Sequence, residues 1–85
     1  MQTEFKFEIV RKIGVLSTFR VKGETHNKEL NIVSWNGRTP KFDIREWNED
    51  NTVMSRGITL TGDEICKLYE LTKDYAEKKI AACHG

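Results

Sequence analysis

The chain has 85 residues, two cysteines and a formal net charge of +1. A chain of this length forms one domain, residues 1–85. It buries only about 60–65% of its extended surface, so its core alone gives marginal stability and a further stabilising interaction is expected. Cys66 and Cys83 form no metal-ligand pattern with the histidines, which predicts a protein without a metal or other cofactor. Because no leader and no apolar run of membrane length occurs, we expect a cytoplasmic protein without a membrane partner, supplemented by a second subunit.

Charge is distributed unevenly along the chain. The segment from Arg11 to Arg45 holds eight basic and three acidic residues, a net +5, whereas the residues from Thr61 onward sum to −1. Such a basic segment is typical of a surface that meets a polyanion. An ordinary solvated face is the alternative that charge alone leaves open.

The first strand is predicted from alternating apolar and polar residues. Alternation runs from Phe5 to Ile9, slips over residues 11–14 and resumes at Val15–Thr18, which indicates one long strand with a bulge. Residues 19–27, polar and basic around Gly23, are interpreted as a loop.

A hairpin is predicted around Asn36-Gly37, between strands at Leu30–Ser34 and Lys41–Trp47. A loop of Trp35, Asn36 and Gly37, with a type I turn and a G1 bulge, gives the strands a coherent apolar face. That apolar face, predicted to be the core, holds Leu30, Ile32, Phe42 and Ile44. The opposite face, called the tryptophan face below, holds Asn31, Val33, Lys41, Asp43, Arg45 and Trp47.

The C-terminal part predicts a turn over residues 48–52, a strand at Met54–Leu60 and a helix over residues 62–82. Thr61 and Glu64 have the spacing of a capping box. The apolar stripe of the helix, which includes both cysteines as small buried residues, is wider than one sheet requires and favours a symmetric dimer. The alternative is that the whole stripe forms one broad face by which the helix docks on its own sheet. The predicted dimer interface is Ile65, Leu68, Tyr69, Leu71 and Tyr75.

Catalytic patterns do not occur in the sequence. His26 and His84 have no local partner that suggests a general base or a nucleophile relay, and each glycine stands alone rather than in a phosphate-binding loop. The sequence therefore predicts that the protein is not an enzyme and has no small-molecule substrate.

The remaining candidate for function is the sheet surface. Single-strand binding needs cations for phosphates and flat rings on which bases stack. Trp35 and Trp47 are the candidate stacking rings, with Arg38, Lys41 and Arg45 as the cations between them. The alternative is that one of these rings has a structural role and fills a dimer interface.

Three segments resemble the single-stranded-DNA-binding domain of transcriptional positive cofactor four (PC4): Trp35–Gly37, Asp43–Trp47 and Arg56–Thr61. Three others resemble the short bacterial YdbC-type members of that family: Phe5–Val10, Ile13–Ser17 and Lys28–Asn31. The resemblance implies an α+β fold, a curved four-stranded antiparallel sheet followed by one C-terminal helix, dimerising through the helices. It carries the family's binding positions onto Trp35, Arg45, Trp47 and Arg56. Asn48 departs from the pattern, because the family has a second aromatic residue there.

Together these features predict a homodimeric, weakly sequence-selective single-stranded-DNA-binding protein that acts in transcription, replication or repair and is nucleoid-associated when bound. A single-stranded-RNA-binding module and a protein-interaction adaptor are the alternatives. The predicted nucleic-acid-binding residues are Lys22, Lys28, Asn31, Trp35, Arg38, Lys41, Arg45, Trp47 and Arg56.

Overall fold

The computed structural model describes residues 6–78, with side chains through residue 76. One antiparallel sheet contains, in spatial order, β1 (Phe7–Val21), β2 (Glu24–Trp35), β3 (Lys41–Asn48) and β4 (Met54–Leu60), and α1 (Gly62–Lys78) follows. The predicted four-stranded sheet with one C-terminal helix is confirmed. The predicted strand start at Phe5, the helix beyond residue 78 and the place of Cys83 on its stripe lie outside the described residues. Cys66, predicted as a small buried residue of that stripe, is exposed, so this prediction was wrong.

The first hairpin is longer and tighter than predicted. Residues 19–27 are not a loop, because β1 and β2 pair up to Val21 and Glu24. Lys22 and Gly23 have φ angles of 50° and 85°. Two consecutive left-handed residues are typical of a two-residue type I′ turn, whose twist matches that of the strands. The prediction of a loop was therefore wrong.

β1 is one long strand, as predicted, but its pairing with β2 is interrupted three times. The register shifts between Ile9 and Arg11, between Lys12 and Gly14, and between Val15 and Ser17. Each bulge adds a residue on β1 and bends the strand locally. The predicted phase slip over residues 11–14 contains the second of these shifts and begins where the first one ends.

The second hairpin has the predicted faces and a different turn. Arg38 N–H donates to the Trp35 carbonyl at 2.9 Å, and Asn36 and Gly37 have φ angles of 53° and 75°. This is a two-residue turn, so the predicted three-residue loop was wrong. The register is nevertheless the one that puts the apolar residues together, since Ile32 pairs with Phe42, as Leu30 does with Ile44.

The sheet is strongly bent. The ring of Phe7 lies 5.3 Å from that of Trp47, yet Phe7 pairs with Trp35 and Trp47 pairs with Asn27. Asn27 and Trp35 are eight residues apart on β2, which a straight strand would span as about 26 Å. The tryptophan face must therefore curl so that its two ends approach each other, which confirms the predicted curvature.

Burial reverses the expected roles of the two faces. The hydrophobic side chains that are fully buried among the described residues are Val33 and Trp47, both on the tryptophan face. The apolar face predicted as the core (Leu30, Ile32, Phe42 and Ile44) is only half-buried in the protomer. The reason is the bend, because a curled face closes over its own side chains whereas the outer face needs another element to cover it.

α1 begins at the predicted capping box. The Thr61 N–H donates to Glu64 Oε1 at 2.8 Å, and Glu64 N–H donates to Thr61 Oγ1 at 3.1 Å. The helix contacts β3 and β4, and a cleft beside its first residue is lined by Ile32 and Phe42 of the apolar face. Of the predicted dimer residues, Ile65 is half-buried and the others, Leu68, Tyr69, Leu71 and Tyr75, are 42–70% exposed.

Candidate nucleic-acid interface

Trp35 lies at the end of β2, and the turn that follows it is tied to the neighbouring strand. Asn36 N–H donates to the Lys6 carbonyl at 2.9 Å, and Lys6 N–H donates to Asn36 Oδ1 at 3.0 Å. The side chain of Trp35 is half-buried, with the Phe7 ring 5.7 Å away at an interplanar angle of 45°. The indole is therefore held at the rim of the tryptophan face and keeps part of its surface accessible.

Arg45 fixes the position of that ring. Its guanidinium carbon lies 4.5 Å from the Trp35 ring centroid, within the range of a cation–π contact. Its Nε and Nη2 donate to the two carboxylate oxygens of Asp43 at 2.6 and 2.8 Å, a bidentate pair. The Asp43 side chain is 0% exposed and that of Arg45 is 12% exposed, so this pair is buried.

The pairing changes the role predicted for Arg45. A guanidinium whose charge is compensated by a buried carboxylate is a weak partner for a phosphate. Its Nη1 also donates to the Ser55 carbonyl on β4 at 3.4 Å. Arg45 is therefore better described as a support for Trp35 than as a free cation.

Gly57 makes room for this arrangement on the adjacent strand. Gly57 pairs with Arg45 across β3 and β4. A Cβ atom added to Gly57 would overlap the Arg45 Cβ atom and the Ile44 carbonyl oxygen. Only glycine fits at this position without displacing backbone, so Gly57 is part of the site although it contacts no ligand.

Four of the predicted residues meet in one cleft of about 280 Å³, lined by Trp35, Arg38, Thr39, Lys41, Arg45 and Thr59. Arg38 and Lys41 are exposed, and neither makes a salt bridge to another residue of the described part of the chain. The cleft thus offers two uncompensated cations beside a partly open indole. This combination suits phosphates and a stacked base.

Thr39 and Thr59 were not predicted as site residues. Thr59 lies opposite Asp43, one strand away from the ion pair, and Thr39 follows the hairpin turn. Their hydroxyls add donors and acceptors to the cleft. For Thr59 a signal existed in the sequence, because it follows Gly57 at the two-residue spacing that keeps side chains on one face of a strand.

The other five predicted residues lie outside this cleft. Trp47 is 0% exposed and packs against Phe7, so it belongs to the core of the tryptophan face and offers no surface for stacking. Asn31 is 1% exposed. Lys28 is exposed but pairs with Glu46, on the same side as the apolar face. Lys22 and Arg56 are exposed, at the first hairpin turn and on β4.

Among the side chains that the structure describes, residues 6–76, no three His, Cys, Asp or Glu residues are grouped so that they could hold a metal ion. Across that range, no helix is both long and apolar enough to cross a membrane. The arrangement that remains is an open cleft of aromatic, cationic and hydroxyl groups on a bent sheet, which defines a binding domain.

Comparison with known proteins identifies the family. The family model described as Transcriptional Coactivator p15 (PC4) matches residues 22–71, which is more than half of the chain. An uncharacterized protein of Treponema pallidum (strain Nichols) is 44% identical over 68 residues, covering 80% of this chain and 76% of that protein. The chain therefore belongs to the PC4 family. This is a family of non-enzymatic nucleic-acid-binding proteins, and membership implies a PC4-like domain that binds single-stranded DNA.

Proposed function

We propose that the protein is a YdbC-type member of this family that binds single-stranded DNA with weak sequence selectivity. Bases stack on Trp35, and Arg38 and Lys41 contact the phosphates on either side. The observation that carries the proposal is the cleft itself, whose lining combines two uncompensated cations with an indole that a buried ion pair contacts. In this proposal the protein acts in transcription, replication or repair in a bacterial cytoplasm. When it is bound to DNA it is associated with the nucleoid.

Stacking accounts for the weak selectivity. Every base has a π-face, so a ring contributes about 1–3 kcal/mol per stacked base with little regard to its identity. Phosphate contacts also carry no sequence information. Arg45 keeps Trp35 in the orientation for stacking before DNA arrives, which lowers the entropy that binding must overcome.

The working unit is proposed to be a homodimer formed through α1. Support comes from Leu68 at 42% and Leu71 at 70% exposure on the helix, and from Ile58 at 55% exposure on β4. A domain of this size with so few fully buried hydrophobic side chains in its described part gains stability from a partner that covers such a surface. A second copy would also supply a second cleft.

The proposal is tested by fluorescence anisotropy of labelled oligo-dT over a series of salt concentrations. Because single-strand binding loses about 0.7 in log affinity per log salt for each neutralised phosphate, Arg38 and Lys41 predict a slope of at least about 1.4 per occupied cleft. Trp35→Ala should weaken binding about 5- to 150-fold, the equivalent of about 1–3 kcal/mol. Absence of binding to oligo-dT at low salt would overturn the proposal, and a matched oligo-U that competes equally would redirect it to RNA.

A further inference from the structure

A second cleft opens on the tryptophan face, further back along β2. It has a volume of about 200 Å³ and lies between β1 and β2, lined by Lys12, Ile13, Gly14, Val15, Asn27, Glu29, Asn31 and Glu49. Glu29, Asn31 and Trp35 are at alternate positions of β2, so the two clefts share one face of the sheet. A strand bound at the first cleft can therefore continue toward the second.

The floor of this cleft carries two buried polar side chains, Glu29 at 5% and Asn31 at 1% exposure. Asn31 Nδ2 donates to Glu29 Oε1 at 3.0 Å, and Asn51 Nδ2 donates to the same oxygen at 3.2 Å. The carboxylate sets the orientation of the Asn31 amide, because only its NH₂ group can face an acceptor. Asn31 Oδ1 therefore points away from Glu29.

Asn31 Oδ1 is buried and accepts no hydrogen bond from any described residue. Buried acceptors of this kind are rare in folded proteins, and each calls for an explanation such as a partner that arrives from outside. The hydrogen bonds that Asn31 and Asn51 donate to the Glu29 carboxylate both go to Oε1, so neither uses Oε2. The cleft thus presents two acceptors with unused capacity and is complementary to a ligand that donates.

Nucleobases differ in the hydrogen-bond donors that they offer. Adenine, cytosine and guanine each carry an exocyclic amino group with two N–H donors, whereas thymine donates only through its single N3–H, which lies between two carbonyl oxygens. In single strands these edges are free for hydrogen bonding, and a carboxylate readily accepts from an amino group. The N3–H of thymine can serve only one of the two acceptors, and a flanking carbonyl oxygen then faces the other and is repelled.

We infer that the cleft formed by Glu29 and Asn31 selects a base with an exocyclic amino group over thymine, on the same DNA strand whose neighbouring base stacks on Trp35. The inference rests on the proposed function and adds a preference at one position of an otherwise unselective site. Lys12 stands at the rim, where its Nζ donates to Asn51 Oδ1 at 2.6 Å. Its charge suits an adjacent phosphate and disfavours a metal cation as the occupant.

Because Asn31 is 1% exposed, a base that reaches it must displace part of β1. This strand is at the edge of the sheet, and its pairing with β2 shifts on both sides of Gly14, between Lys12 and Gly14 and between Val15 and Ser17. β1 has an interrupted hydrogen-bond ladder and no strand beyond it. It is therefore the part of the sheet whose displacement costs the least free energy.

The test compares oligo-dT with the same oligomer carrying one central dC, dA or dG, by competition at fixed salt. The protein should prefer at least one amino-bearing oligomer over oligo-dT by about fivefold or more, the lower limit of one well-formed base contact. Glu29→Gln places a donor in the cleft and should reduce or reverse this preference. Glu46→Gln, a charge-matched control on the other face, should retain it.

Two results would overturn the inference while leaving the proposed function intact. One is equal affinity of the wild-type protein for all four oligomers, with salt-dependent binding preserved, which would leave a structural water as the partner of Asn31. The other is a preference that Glu29→Gln, shown to be folded by circular dichroism, leaves unchanged. Failure of every oligomer to bind would instead refute the proposed function.

Discussion

The buried pair of Asp43 and Arg45 makes a sharp prediction, because one conservative substitution disrupts it. Asp43→Asn keeps the shape of the side chain but replaces one acceptor oxygen with an NH₂ group. In the protein Arg45 Nη2 donates to Asp43 Oδ2 at 2.8 Å and Arg45 Nε donates to Oδ1 at 2.6 Å. After the substitution one of these donors faces another donor, and the guanidinium loses the charge that compensates it.

The cost follows from the burial of both groups. Asp43 is 0% and Arg45 12% exposed, so water cannot replace the lost partner. Breaking a buried pair by removing one member costs about 3–5 kcal/mol. For a domain of this length about 1 kcal/mol corresponds to about 4–8 °C in Tm, so Asp43→Asn should lower Tm by about 12–40 °C.

The assay is urea unfolding of Asp43→Asn, Arg45→Met and the double variant, all at one protein concentration because the stability of a dimer depends on concentration. The double variant has no unpaired charge in the site. Its loss of unfolding free energy should therefore be about 1–3 kcal/mol smaller than the sum of the single losses. Losses that add to within about 0.5 kcal/mol, or a cost of Asp43→Asn below about 1 kcal/mol as for a surface pair, would refute the reasoning.

Three further predictions concern other parts of the molecule. Lys41→Gln should lower the salt slope of oligo-dT binding by about 0.7, whereas Lys28→Gln, on the opposite side of the sheet, should leave it unchanged; equal effects would contradict the face assignment. Thr61→Ala should cost about 0.5–2 kcal/mol in urea unfolding by removing the helix cap. Leu71→Glu should convert the dimer to a monomer of about 10 kDa in sedimentation, and a wild-type monomer would refute the dimer proposal.

The elements of the fold are largely predictable because local chemistry determines them. The strand predicted at Met54–Leu60 is β4, with the predicted bounds. The spacing of Thr61 and Glu64 predicts the start of α1, where both capping hydrogen bonds form. The first hairpin was missed because polar residues around Lys22-Gly23 were interpreted as a loop, although a Lys-Gly pair with two left-handed φ angles makes a tight turn.

The burial pattern was not predictable from alternation. A two-residue period shows which residues share a face, and the pairing of Ile32 with Phe42 agrees with it. It does not show which face the bend closes, since this depends on the contact between Phe7 and Trp47, at opposite ends of the tryptophan face. Trp47 and Asn31 were therefore predicted at the surface and are found buried.

The ion pair at the site has a signal in the sequence. Asp43 and Arg45 are two residues apart on β3, so their side chains lie on one face and their charges are opposite. The contact between Arg45 and the Trp35 ring is not predictable from the sequence, because these two residues do not pair in the register of β2 and β3.

The central claim is that bases stack on Trp35, and a single-tryptophan protein tests it most directly. The chain has two tryptophans, so Trp47→Phe leaves Trp35 as the only one, and Trp35→Phe leaves Trp47. With Trp35 alone, oligo-dT should quench the fluorescence in a saturable, salt-sensitive titration, and with Trp47 alone the signal should hardly change. Saturating oligo-dT that leaves Trp35 unquenched, or quenches Trp47 instead, would contradict the account.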